Sequence, residues 1–324
     1  VTIAADMGRA NDSLADERER RWPLVVFPRS PAARSSDWAV AVRGCSERYL
    51  SRLGSMLFRG FEVLDGAAFR RFVAAFGATP LEPWGGSCLS RPECGVGAST
   101  STFGSAVGAA GLLHQAHAHS ARWPAKLWLQ CPAVGGPEAL QLVDGRDVWQ
   151  RLPERVRRRF VERGLAYCYE LRPEATTIVS DYEQLAARLR ACGLSCDRTP
   201  VGGLSARQVG PAVLAHLASG ELSWFNQAHL FLALRRDSAP GTLRWRDPAG
   251  RGWSASVCHA DGRAIDPFML AVVHDAVEQS GVVVPWEPGD VVLLDNEVTA
   301  HGWQAAAGQR APATIMADAR SFSP

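Results

Sequence analysis

The sequence predicts an α+β chain built on a β-barrel or jelly roll, with helices inserted between the strands. Two observations carry this. Short apolar runs broken by Gly and Pro stand near both ends, at 22–28 and again from 282 to 319, while patterns of helical period fill much of the interval. No internal repeat and no long linker divides the 324 residues, so one domain over 23–324 is expected, preceded by a loose, charged leader at 1–22.

Taken in order, WPLVVFP (22–28) reads as a short buried strand stopped by proline. Residues 36–54 follow as a helix, with Ser36 or Asp37 at its cap and Gly54 as its stop. SMLFRGFEV (55–63) reads as a strand and 65–77 as a second helix closed by glycine. Residues 80–111 are rich in Gly, Ser and Pro, the composition of loops that carry binding sites. AKLWLQC (125–131) is strand-like, and 143–164 gives a helix or helix pair. A strand at 165–172 and a helix at 180–193 come next. A further helix is predicted over 205–217, and the Gly-, Pro- and Trp-rich stretch 237–260 reads as irregular. Asp266 opens a helix that ends at Gly281. Short strands separated by turn residues complete the chain.

Composition narrows the function classes. Hydrophobic residues make up 47% and charged residues 21%, as in an ordinary globular enzyme. A net charge of +2 is too balanced to indicate a nucleic-acid partner, and RVRRRF (155–160) reads as the solvated face of a helix. No apolar run approaches the ~20 residues of a membrane helix, and the first residues lack the apolar core of a signal peptide, so a cytoplasmic protein is expected. The eight cysteines, at 45, 88, 94, 131, 168, 192, 196 and 258, form no CxxC pair. They read as reduced, mostly buried thiols.

The chemistry concentrates in two distant stretches, LLHQAHAHS at 112–120 and DNEVTAHG at 295–302. Iron oxygenases hold Fe(II) with two histidines and one carboxylate on one face of the metal. The first histidine and the carboxylate come from an H-x-D/E step, in which residues i and i+2 of a strand point the same way. Here that step is His114-Gln115-Ala116. The histidine is present; the carboxylate is not. Strand alternation would turn His117 and His119 to the opposite side, which argues against a copper or zinc cluster of three histidines.

Several further stretches accompany these: FRGFEV at 58–63, RWPAKLW at 122–128, PAVGGPEALQLVDGR at 132–146, WFNQAHLF at 224–231, WEPGDVVLLDN at 286–296 and GQR at 308–310. Together they resemble the TauD/TfdA-like Fe(II)/2-oxoglutarate dioxygenases, and among these the SyrP-like members associated with nonribosomal peptide pathways. The resemblance runs from Pro23 to Ala319. It implies a double-stranded β-helix, iron on His114 and His301, and the distal carboxylate of 2-oxoglutarate on Arg310. Thr102 would be the hydroxyl partner of that carboxylate, with Thr100 as the second choice. A guanidinium suits this task because it meets a carboxylate with two parallel hydrogen bonds. The substrate implied is an amino acid, free or tethered to a carrier protein, in bacterial specialised (antibiotic) metabolism.

The sequence departs from that family at two places. Its acidic ligand falls on Ala116, and the Arg, Pro and aromatic ring usual after the distal histidine are lost where the chain reads HGWQAA, which leaves Trp303 to line the pocket. Three readings follow. The vacant corner takes chloride, as in halogenases of this type, which carry Ala or Gly there. Or another residue, from His117, His119, Glu297 and His229, completes the ligand set of a hydroxylase. Or the scaffold has lost redox chemistry and binds a ligand. His216 and His274, on predicted helices, are expected at the surface or core edge, and Cys258-His259 is expected to be structural.

Overall fold

The computed structural model describes residues 2–3, 22–28, 43, 46–81, 112–171, 182–233, 242–246, 252–303 and 309–322. Its largest sheet has six strands in the order β1-β2-β3-β14-β4-β16. These are β1 (Thr2–Ile3), β2 (Leu24–Phe27), β3 (Ser55–Phe58), β4 (Arg122–Gln130), β14 (Val291–Asp295) and β16 (Ala313–Ser321). A three-stranded sheet, β13-β5-β15, comprises β5 (Ala139–Asp144), β13 (Gly281–Pro285) and β15 (Thr299–Trp303). The two pack face to face. Leu57, Leu127, Leu129, Val292 and Leu294 of the large sheet share one buried cluster with Leu140, Leu142 and Val284 of the small one.

Each sheet is also covered on its outer side. Phe58, Trp128 and Leu293 of the large sheet pack against Phe69, Phe72 and Val73 of α1 (Gly66–Ala75). Helix α1 begins at Asp65, whose carboxylate accepts the Ala68 amide at 2.7 Å. Val143 and Ala300 of the small sheet face a second core. It is built with α2 (Gly145–Arg151), α3 (Glu154–Arg163), α4 (Tyr182–Ala191) and α6 (Pro267–Gln279). That core is shared with a five-stranded sheet, β11-β12-β6-β8-β7, made of β6 (Leu165–Leu171), β7 (Ser195–Arg198), β8 (Leu204–Gly210), β11 (Thr242–Arg246) and β12 (Gly252–Cys258). Strands β9 (Val213–Ala215) and β10 (Leu222–Trp224) pair on their own, and α5 (Leu230–Ala233) is a single turn. Among the described residues no helix is long and apolar enough to cross a membrane.

Several expectations are corrected. The helix predicted over 205–217 is instead β8 and β9. Burial along β8 alternates strictly, with Leu204, Ala206 and Gln208 inside, a period of two that the helix-favouring Ala, Arg and Gln residues concealed. The stretch read as irregular contains β11 and β12, joined in register from Thr242 opposite Ser256 to Arg246 opposite Gly252. The strand expected over 55–63 stops at Phe58, because Gly60 and Glu62 take positive φ. Thr2–Ile3, at the start of the expected leader, pair with Phe27 and Val26, while 4–21 lie outside the described residues. Cys192 is disulfide-bonded, which overturns the expectation of thiols throughout; Cys131, Cys168, Cys196 and Cys258 are free.

Phe58 is fully buried, with ring centroids of Phe72 and Phe76 at 5.4 and 5.2 Å and of Trp128 at 6.2 Å. Phe58→Ala leaves a cavity on the outer face of the large sheet. It should cost about 3–5 kcal/mol of unfolding free energy in a urea titration; a loss under about 1 kcal/mol would show that this cluster does not hold α1 on the sheet.

Candidate metal centre

His301 lies on β15, directly opposite Leu142 of β5. The free edge of β15 meets His114 as an isolated antiparallel bridge. The His114 amide donates to the His301 carbonyl at 3.0 Å, and the His301 amide donates to the His114 carbonyl at 2.9 Å. Residues paired in this way project to the same side of a sheet. Because Leu142 faces the large sheet, both imidazoles point into the space between sheets. Their ring centroids are 4.6 Å apart at 41°. Trp303, two residues further along β15, shares that face, with its ring 6.3 Å from the His301 ring and nearly parallel to it at 23°.

Ala116 is 3% exposed and belongs to the same inter-sheet cluster as Leu142. It does not lie on a strand. Residues 116–119 form a turn, with His117 at φ 58°, so the alternation expected for 114–119 is absent and does not sort the histidines. Side chains hold this irregular backbone. Asn296 accepts the Ala116 amide at 2.7 Å and donates to the carbonyls of Ala116 and Pro124 at 2.9 and 2.8 Å. Gln115 donates to the Trp224 carbonyl at 2.9 Å, and Gln227 donates to the Gln115 carbonyl at 2.9 Å. A buried segment outside any sheet must find such partners for its amides and carbonyls.

The donor set fits a metal at two positions. Burial lowers the pKa of His114. For His301, burial and then the charge of His114 lower it well below the usual value, so both rings are neutral, the form that ligates. His114 Nδ1 lies 2.7 Å from the Leu112 carbonyl; donating there fixes the tautomer and leaves Nε2 with its lone pair. His301 Nδ1 is buried without a hydrogen-bond partner. Ala116 adds no donor. Among the described residues no other His, Cys, Asp or Glu joins the pair as a third ligand. Glu297 instead accepts the Trp123 indole N–H at 3.0 Å. His119 Nδ1 meets Gln227 Oε1 at 3.0 Å, and His229 Nε2 meets the Leu113 carbonyl at 2.7 Å.

Thr102 and Thr100 lie outside the described residues. Arg310 is exposed, and its backbone amide donates to the Gly135 carbonyl at 2.6 Å. Sequence reasoning missed Asn296 and Gln227, whose only signal was their place inside DNE and WFNQAH. It also misplaced His216, which is 3% exposed and follows β9 rather than lying on a helix. His216 Nε2 meets Asp295 Oδ2 at 3.0 Å, and its Nδ1 meets Ser219 Oγ at 2.9 Å. His216, Asp295 and Glu297 form a group of ligand-type atoms within 4.8 Å of one another. It includes neither His114 nor His301, and His216 and Asp295 are placed to form an ion pair when the imidazole is protonated.

Comparison with known proteins adds an independent observation. The family described as taurine catabolism dioxygenase TauD, TfdA family matches residues 40–316. The dapdiamide synthesis protein DdaC of Enterobacter agglomerans is 23% identical over 283 residues, covering 84% of each chain. A clavaminate synthase-like protein of Arabidopsis thaliana is 27% identical over 313 residues, covering 86% of this chain and 88% of the relative. Among solved structures, PvcB of Pseudomonas aeruginosa aligns over 92% of this chain and 84% of its own, with 14% identity and a TM-score of 0.46.

The His216–Asp295 pair gives a pH dependence with a definite sign. The hydrogen bond to Asp295 raises the pKa of His216; the charges of Asp295 and then Glu297 add to it, while burial and Arg146 oppose. A raised folded value means that the imidazolium stabilises the fold in full below the unfolded pKa of about 6.5, and that this is lost as pH rises through the folded value. The stability deficit of His216→Gln, from urea titrations, should therefore be larger at about pH 5.5 than at about pH 8.5. An equal deficit at both would show that no charged pair forms.

Proposed function

The chain belongs to the TauD/TfdA family of Fe(II)/2-oxoglutarate-dependent dioxygenases, and from that premise we propose that it oxidatively functionalises an unactivated C–H bond, with chlorination favoured over hydroxylation. One observation supports the choice of chlorination: two neutral imidazoles share a face beside Ala116, whose methyl group brings no charge and no donor. Replacing a carboxylate by a methyl removes one negative charge and opens one position, which suits a small anion such as chloride. Bound Fe(II) and 2-oxoglutarate would supply the oxidising chemistry, as cofactors do generally.

The chain's own residues hold and aim. His114 and His301 would ligate the metal through nitrogens kept unprotonated by burial. Asn296 fixes the backbone at Ala116, so the open corner keeps its position. Trp303 forms a wall of the pocket next to His301. Arg310, with Thr102, would hold the distal carboxylate of 2-oxoglutarate, and its guanidinium would leave solvent to do so. The substrate class proposed is an amino acid, free or tethered to a carrier protein. A relative named for dapdiamide synthesis supports a biosynthetic setting. We read residues 23–324 as one catalytic domain.

The exposure of Arg310 favours a second reading, in which the scaffold binds a ligand without redox chemistry. Anaerobic addition of Fe(II) and 2-oxoglutarate separates the two. A visible metal-to-ligand charge-transfer band, lost in His301→Ala, is expected from the first reading; no band and no retained iron would establish the second. Ala116→Asp then tests the halide. It should keep or strengthen Fe(II) binding and abolish chlorination, whereas unchanged chlorination would exclude chloride from that corner.

A further inference from the structure

Sheet β11-β12-β6-β8-β7 carries two cysteines that play no part in the centre described above. Strands β6 and β12 are antiparallel, with Cys168 opposite Ser256 and Cys258 opposite Ala166. The cysteines are therefore diagonal neighbours on one face, the face turned away from the core that takes Tyr167, Tyr169 and Val257. Their Sγ atoms are 3.8 Å apart, and both residues are half-buried, within reach of small solutes.

A cation completes the arrangement. Arg207 of β8 stands directly opposite Cys168 on its other side. Its Nη2 also donates to the carbonyl of Ala260, just past Cys258, so the guanidinium spans the pair. The Cys168 thiol is held below its usual value by the hydrogen bond from Cys258 and by Arg207, against burial and the charge of Glu170. Cys258 is pushed up by Cys168, by burial and by Asp261. The contact and the guanidinium thus favour the thiolate at Cys168 over Cys258, the division of roles found in oxidation-sensitive pairs.

We propose that Cys168 and Cys258 are a reversible redox modification site, oxidised by a hydroperoxide to a cross-strand disulfide. The Cys168 thiolate attacks one peroxide oxygen; the O–O bond breaks, the other oxygen leaves and takes a proton as water, and a sulfenic acid forms. Cys258 Sγ then attacks the Cys168 sulfur, the S–O bond breaks, and the oxygen departs as water with the Cys258 proton. Two thiols and one hydrogen peroxide become one disulfide and two waters, the sulfurs giving up the two electrons that the peroxide takes. Closure takes the Sγ atoms from 3.8 Å to a bond of about 2.0 Å by side-chain rotation together with a small approach of the two strands. Diagonal residues stand roughly 7–8 Å apart at Cα in a flat sheet, wider than a relaxed disulfide prefers, so a small dithiol should reverse the bond readily. The site does not depend on the iron reading.

The test treats the full chain with hydrogen peroxide in the presence of a metal chelator, blocks remaining thiols and maps peptides by mass. A Cys168–Cys258 peptide lighter by two hydrogens, restored by dithiothreitol, is expected, with Cys131 and Cys196 remaining thiols. Cys258→Ser should stop at a dimedone-trappable sulfenic acid on Cys168, and Cys168→Ser should leave Cys258 unoxidised. Arg207→Gln should slow the oxidation several-fold. Peroxide-treated wild-type chain whose two cysteines remain fully alkylatable, or link to other cysteines, overturns the proposal. That wild-type result decides the matter even if a variant fails to fold.

Discussion

Two peptide hydrogen bonds, one in each direction between His114 and His301, set the geometry on which the candidate centre depends. They bring together residues from distant parts of the chain, and they fix which way both rings point, since a one-residue slip would turn one imidazole into the opposite core. The bridge is short, so its support comes from elsewhere. On one side β15 is zipped to β5 from Thr299 to Trp303. On the other, the segment after His114 has no strand to lean on; amide side chains from Asn296 and Gln227 satisfy its backbone, and the Gln115 side chain ties the segment to the Trp224 carbonyl. Leaving such groups unpaired in the interior costs about 1–3 kcal/mol each. The clamp is thus part of the fold as well as of the centre.

A polar hub holds the far end of β15. Arg146, 1% exposed, reaches Asp144 Oδ2 at 2.8 Å and Glu221 Oε2 at 2.9 Å, and Asp144 stands opposite Thr299, two residues before His301. Thr299 donates its hydroxyl to the Gly54 carbonyl at 2.8 Å. A Cβ at Gly54 would come within 2.5 Å of that hydroxyl, so the positive φ of 76° and the close approach both require glycine. A buried ion pair adds little net stability while complete, yet removing one partner strands the other charge. Its contribution here is to position: Arg146 of α2 also donates to the Ser51 carbonyl in a helix over 46–53, so that helix, α2 and β15 meet at one place.

Much of this was legible in the sequence, for identifiable reasons. Strands β2, β14 and β16 are apolar runs bounded by Pro, Gly and Asp, and α1 and α6 announce themselves through Asp65 and Asp266. His114 and His301 stood out because each sits in a distinctive string. The strands β8, β11 and β12 were illegible, since their composition mixes helix-favouring and turn residues, and β6, to which β8 and β12 both pair, lies far from them in the chain. The turn at 116–119 was hidden as well. Its conformation is imposed by Asn296 and Gln227, polar residues with no periodic signature. Arg310 was readable as a motif residue, but its exposure depends on packing that no local pattern records.

The clamp at Ala116 has a consequence for how such a centre changes over evolutionary time. Asn296 grips the peptide groups of residue 116, not its side chain, so the main-chain path there is specified independently of what projects from it. The side chain at that spot can be exchanged by a single codon while the bonds that hold its peptide groups stay the same. The side chain at 116 and the main-chain path through it are, at this one position, separately inherited traits.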